Sequence, residues 1–133
     1  YVKIPITFYR DIPCVLLNIM FKKKEDVCSI EGKFMIDYGY TGSIGIGTKT
    51  SISNPLICTS ANSTIFQYMR DTVNIQFNSI SMENISLCKE PLIDGLAGII
   101  GVGFLDRFDV ILDYKEKFLY LKLNDKMNFN MQY

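Results

Sequence analysis

The stretch FMIDYGYTGSIGIG, residues 34–47, sets a carboxylate at the point where an apolar strand gives way to glycines. Phe34, Met35 and Ile36 carry the apolar character right up to Asp37, and tyrosines flank the glycine that follows. Asp and Gly both favour turns, so plain turn chemistry is the structural reading of this pair. The approach to Asp37 argues for more, because a strand buried to its last residue leaves the carboxylate partly buried and in need of partners. The candidates are N–H groups of the following turn and the hydroxyls of Thr41 and Ser43. A carboxylate held in this way and set against a second one forms a pair that cannot ionise together. With one proton shared between them, one member activates water while the other protonates a carbonyl. Such chemistry needs neither a metal nor a histidine.

Working outward, short alternating or β-branched runs dominate the chain. VKIPITF (2–8) puts Val2, Ile4, Ile6 and Phe8 on one side of a strand, with Pro5 pointing to an edge or a strand end. CVLLNIMF (14–21) reads as a more fully buried strand. KKKED turns the chain, and VCSIEGKFMID (27–37) returns as one long strand or bends at Gly32, so the two form a hairpin ending at Asp37. Residues 48–63 read as loop with at most one short strand, and TIFQYMRD (64–71) fits a helical turn or a strand. Residues 72–90 alternate through Val73, Ile75, Phe77, Ile80, Met82, Ile85 and Leu87, which predicts a hairpin with one buried face. In residues 98–108, Phe104, Leu105 and Phe108 share a helical face and predict one short helix. DVILDY (109–114) and FLYLKL (118–123) are strands around a KEK turn, and the polar tail is loose.

Composition narrows the classes of function. The 133 residues suit one domain, here 1–124 with a polar C-terminal tail at 125–133. A 48% hydrophobic, 21% charged composition supports a packed core rather than disorder. Fourteen basic residues balance fourteen acidic ones, so no footprint for nucleic acid or an anionic membrane is present. No apolar run approaches the ~18 residues that span a bilayer. The start lacks both an initiator Met and the features of a signal peptide, so a processed form or a fragment is expected. Cys14, Cys28, Cys58 and Cys88 have no metal-finger spacing, and there is no histidine, which argues against zinc. Buried free thiols are the leading reading of the cysteines, with one or two disulfides open for an exported chain. The missing histidine also excludes Ser-His-Asp and Cys-His catalysis within this chain.

FMIDYGYTGS resembles the active-site loop of the retropepsin-like aspartic proteases, where an apolar strand leads into Asp-Thr/Ser-Gly. AGIIGVGFL (97–105) is similar to the family's two-apolars-then-Gly segment and short helix. DRFDVILDYKEKFLYLKLN resembles the strands that close the lobe in bacterial aspartyl-protease-like proteins. The resemblance covers residues 27–47 and 97–124. It implies an all-β, retropepsin-like acid protease lobe, a small closed or partly closed barrel with one short helix. It implies that Asp37 is the catalytic aspartate and that Gly39 is the motif glycine, where a side chain would obstruct the turn. Thr41 takes the position whose hydroxyl bonds the catalytic carboxylate. Ile99, Ile100 and Gly101 correspond to the segment packed beneath the loop. Tyr38 replaces the Thr or Ser that ties two active-site loops together, and Tyr40 replaces a small residue, with altered packing or a partly blocked site as the consequence.

One lobe supplies one catalytic aspartate, so the resemblance implies a second lobe, from a second copy or from an absent part of the parent protein. The implied activity is aspartic-type endopeptidase on polypeptide substrates, with no cofactor and no metal, and the family resemblance suggests an exported protein. The alternatives are a catalytically degenerate lobe that binds peptide or supports a partner lobe, and a plain β-barrel interaction domain. Asp109, Asp113 and Asp94 read as turn or strand-end residues. GSIGIG lacks the context of a phosphate loop, and NST (62–64) and NIS (84–86) match the glycosylation pattern at a level common by chance.

Overall fold

The computed structural model describes residues 1–23, 25–47, 56–59, 70–90 and 95–124, and these are all-β apart from one helical turn. The strands are β1 (Val2–Tyr9), β2 (Ile12–Lys23), β3 (Asp26–Ile36), β4 (Ile44–Gly47), β5 (Leu56–Cys58), β6 (Arg70–Phe77), β7 (Ile80–Glu90) and β8 (Gly98–Ile100). The turn α1 (Val102–Leu105) follows, then β9 (Phe108–Asp113) and β10 (Phe118–Leu123).

Pairing begins with the β2–β3 hairpin, in register from Cys14↔Met35 to Lys23↔Asp26. β3 then runs parallel to β8, which is inserted between β3 and β4. β4 lies parallel to β7, and β7 pairs with β6. β6 meets β2 again through Met20↔Gln76 and Phe21↔Ile75. That last contact closes a six-stranded barrel in the order β2, β3, β8, β4, β7, β6. Beside it, β1 pairs with β10 over residues 2–5 and with β2 over residues 6–9. Pro5, which has no N–H to donate, sits where β1 changes partner.

The barrel interior explains the alternation. Val15, Leu17, Ile19 and Phe21 of β2 face Ile30, Phe34 and Ile36 of β3, with Ile44, Ile46, Ile75, Ile85, Leu87 and Ile100 from the other walls, all buried. Fully burying each such side chain stabilises by about 1.5–3 kcal/mol. The rings of Phe77, Phe104 and Phe108 join β6, α1 and β9, with centroids 5.2 Å apart for Phe104–Phe108 and 5.5 Å for Phe77–Phe104.

Several expectations change. β2 is not fully buried: Leu16 is 62% exposed and Met20 46%, because the sheet's outer face is solvated there and only alternate residues enter the barrel. Phe8 is exposed, since the inward face of β1 ends at Ile6. β3 is one continuous strand, with Gly32 at φ +144° and the Ala97 methyl where its side chain would be. The short helix expected within 98–108 is the single turn α1, which leaves Phe108 outside it, in β9, while residues 98–100 enter the barrel as β8. Cys28 and Cys58 are disulfide-bonded, whereas Cys14 and Cys88 are free and buried. β5 places Cys58 directly opposite Cys28, a register that the spacing of the cysteines does not reveal. The readings for residues 48–55, 60–69 and 125–133, for Asp94 and for the triplet at 62–64 lie outside the described residues.

Candidate active site

Asp37 leaves the end of β3 beside β8, and backbone bonds tie its loop to the segment after β8. The Asp37 N–H donates to the Ile100 carbonyl at 3.0 Å, and the Gly101 N–H to the Ser43 carbonyl at 2.9 Å. The Val102 N–H donates to the Tyr40 carbonyl at 2.9 Å, and the Gly103 N–H to the Gly42 carbonyl at 3.1 Å. The sequence folds this way because Asp37–Tyr40 is itself a turn: the Tyr40 N–H donates to the Asp37 carbonyl at 3.1 Å. Ile100 and Gly101 thus lie against the loop through main-chain atoms. Ile99 instead packs its side chain over Gly45, where an added Cβ would stand 2.5 Å from Ile99 Cγ2.

The Asp37 carboxylate is half-buried, and its Oδ1 accepts the Gly39 N–H at 2.7 Å, within the range of charge-assisted bonds. A Cβ at Gly39 would press on that oxygen at 3.0 Å. The two hydroxyls named as partners do not take that role. Thr41 is exposed and shares no hydrogen bond with Asp37 among the described residues. Ser43 Oγ faces Gly103, where an added Cβ would meet it at 2.5 Å. The physical reason is the tightness of the turn, which brings the amide two residues on to the carboxylate before either hydroxyl. No other Asp or Glu occurs between Glu31 and Asp71, so this loop contributes one carboxylate.

The two tyrosines diverge. Tyr38 is 54% exposed, and partial burial, then Asp106 and Tyr114 nearby, raise its phenol above the ordinary value. Tyr114 in turn stacks with Phe8 at 5.9 Å between centroids. The Tyr40 ring is turned under the loop, against Gly42 and Gly101, and its hydroxyl donates to Glu90 Oε1 at 3.0 Å. Burial first, then the bond to Glu90 and the Glu90 charge, hold the Tyr40 hydroxyl in its protonated form well above the usual range. Glu90 was invisible to sequence reasoning, since it lies fifty positions from Tyr40. The available signal was indirect: a buried tyrosine needs a partner for its hydroxyl.

Other candidates fall away from this loop. Asp113 Oδ1 accepts the Glu116 N–H at 3.0 Å and closes the β9–β10 turn. Asn84 of the NIS triplet sits exposed in β7 with φ +57°. A groove on the barrel wall, lined by Met20, Val27, Gln76 and Met82 among others, contains none of the loop residues. Among the described residues no cluster of His, Cys, Asp and Glu suited to a metal ion comes together, and no helix is long and apolar enough to cross a membrane. No protein-family model matches the chain, and neither the curated proteins nor the solved structures provide a match.

Proposed function

We propose that this chain is one lobe of a retropepsin-like aspartic endopeptidase, with Asp37 as its catalytic carboxylate. One observation carries the reading: the half-exposed Asp37 carboxylate, fixed by the Gly39 N–H, stands on a loop that four main-chain bonds hold to residues 100–103. A carboxylate so held is oriented without being sealed from a substrate. Tyr40 supports the reading as well, since its ring is packed under the loop against Gly42 and Gly101.

The second carboxylate comes from another lobe, either a second copy of this chain or another part of its parent protein. In the assembled site one carboxylate is ionised and its partner is protonated. The ionised member takes a proton from water as the water oxygen attacks the peptide carbonyl carbon, and the protonated member donates to the carbonyl oxygen. Collapse of the tetrahedral species breaks the C–N bond as the carboxyl that took the water proton gives it to the leaving amine and the other carboxylate takes back the hydroxyl proton. The substrate class is polypeptide. The Cys28–Cys58 disulfide fits an oxidising compartment, in keeping with an exported protein.

A second reading, a degenerate lobe that binds peptide or supports an active partner lobe, is favoured by Tyr38 and Thr41. Tyr38 projects into solvent at the position of the loop-to-loop tie, and the Asp37 carboxylate is bonded by the Gly39 N–H rather than by Thr41. Cleavage of an unfolded protein mixture across pH 3–7, at high protein concentration, separates the two. The endopeptidase reading expects a bell-shaped acid optimum that Asp37→Asn abolishes. Retention of peptide without cleavage by either protein would replace it with the degenerate lobe.

A further inference from the structure

Two glycines beside Tyr40 and a third beside Glu90 describe a slot. A Cβ on Gly42 would lie 2.7 Å from Tyr40 Cζ and Oη, and one on Gly101 would lie 2.5 Å from Tyr40 Cδ2. A Cβ on Gly45 would lie 2.7 Å from Glu90 Cγ. The ring of Tyr40 and the stem of Glu90 therefore occupy space that only glycine at these positions leaves open, and their polar ends meet at 3.0 Å. Glu90 ends β7, which runs parallel to β4, so the bond joins the loop to the barrel wall on the far side of β4 from β8. The Tyr40 main chain meanwhile donates to Asp37 and accepts from Val102.

From this juxtaposition we infer that Glu90 is a positioning residue: through the Tyr40 hydroxyl it fixes the turn that aims the Asp37 carboxylate. The inference rests on the reading of Asp37 as the functional carboxylate. On this view Tyr40 is a replacement brace. The loop is anchored from β8 by main-chain bonds and from β7 by the Tyr40–Glu90 bond, with Cys88 of β7 also beside the Tyr40 hydroxyl, so it is held on two sides. The burial that keeps the Tyr40 hydroxyl protonated also keeps it a donor at every pH where such a site works.

The test compares wild type with Tyr40→Phe, Glu90→Ala, Glu90→Gln and the Tyr40→Phe/Glu90→Ala pair, by amide hydrogen exchange and by peptide cleavage. Loss of the bond is expected to speed exchange of the Tyr40, Val102 and Gly103 amides about tenfold or more. The amides of Val73 and Met82, in the β6–β7 hairpin, keep their wild-type rates. Glu90→Gln retains slow exchange because its amide oxygen still accepts, and the double variant is no faster than either single one. Turnover falls with the loop amides while KM holds, since the brace acts on the carboxylate rather than on peptide contacts. Unchanged loop exchange in Tyr40→Phe overturns the inference, as does faster exchange spread evenly over the barrel, which marks a merely structural role. Tyr40→Phe removes one oxygen and keeps the ring, so it decides the matter even where Glu90→Ala does not fold. If the wild type cleaves no peptide, a second copy of this chain does not supply the second carboxylate, while the exchange comparison still decides whether Glu90 positions the loop.

Discussion

Asp37 takes its orientation from backbone atoms: the Gly39 N–H on its carboxylate, and the Ile100 carbonyl and Tyr40 N–H on its main chain. Asparagine keeps an oxygen for the Gly39 bond, so Asp37→Asn is expected to fold with a stability change below about 1 kcal/mol in urea unfolding. Gly101 is less tolerant. A methyl there would meet the carbonyl oxygens of Gly42 and Tyr40, and backbone cannot step aside as a flexible side chain does. Gly101→Ala should cost about 1–3 kcal/mol or more, measured as a lower urea midpoint at unchanged slope. Alkaline pH acts on the same residues. Tyr40, Tyr38 and Cys14 all have pKa values raised in the folded state, chiefly by burial. The unfolded chain therefore loses these protons first, so their contribution is full below about 9 for the thiol and about 10 for the phenols. It is lost as pH climbs from there towards the folded values. Melting temperature should fall above about pH 9, and Tyr40→Phe should flatten part of that fall.

Among the elements, the β6–β7 hairpin shows how much a strand pair depends on distant residues. Its register shifts between Val73 and Ile75, and the Asn74 side chain accepts the Asn84 N–H at 3.0 Å across the irregularity. Arg107, after α1, donates to the carbonyls of Glu83 and Asn84. Arg107→Ala removes both donors and should destabilise by about 1–3 kcal/mol, with faster amide exchange around residues 83–86. The disulfide acts on another element. It ties β5 to β3 over a sequence separation of 30, for which loop-closure entropy gives about 3–4 kcal/mol. Cys28→Ala/Cys58→Ala should lower the urea midpoint accordingly. The alternation of Val73 to Leu87 was readable because each residue's face follows from a period of two. The bulge was not, because its partners Arg107 and Asn84 meet only after the chain has folded back.

In the whole molecule, the barrel closes through a narrow seam, Met20↔Gln76 and Phe21↔Ile75, and its core is apolar throughout among the described residues. Phe104 is fully buried between Phe77 and Phe108, so Phe104→Ala should cost about 3–5 kcal/mol. Amino-acid order alone determined the all-β class, the two hairpins, the turn at Asp37 and the absence of histidine chemistry, because these depend on local periodicity and residue type. Only the tertiary structure decided that β8 threads between β3 and β4 to lie beside the Asp37 loop, that Cys28 faces Cys58, and that Tyr40 reaches Glu90. Each of these depends on strand register and on which side chains share a face across the sheet. Register is set by the packing of the whole barrel, and no local run of residues contains it.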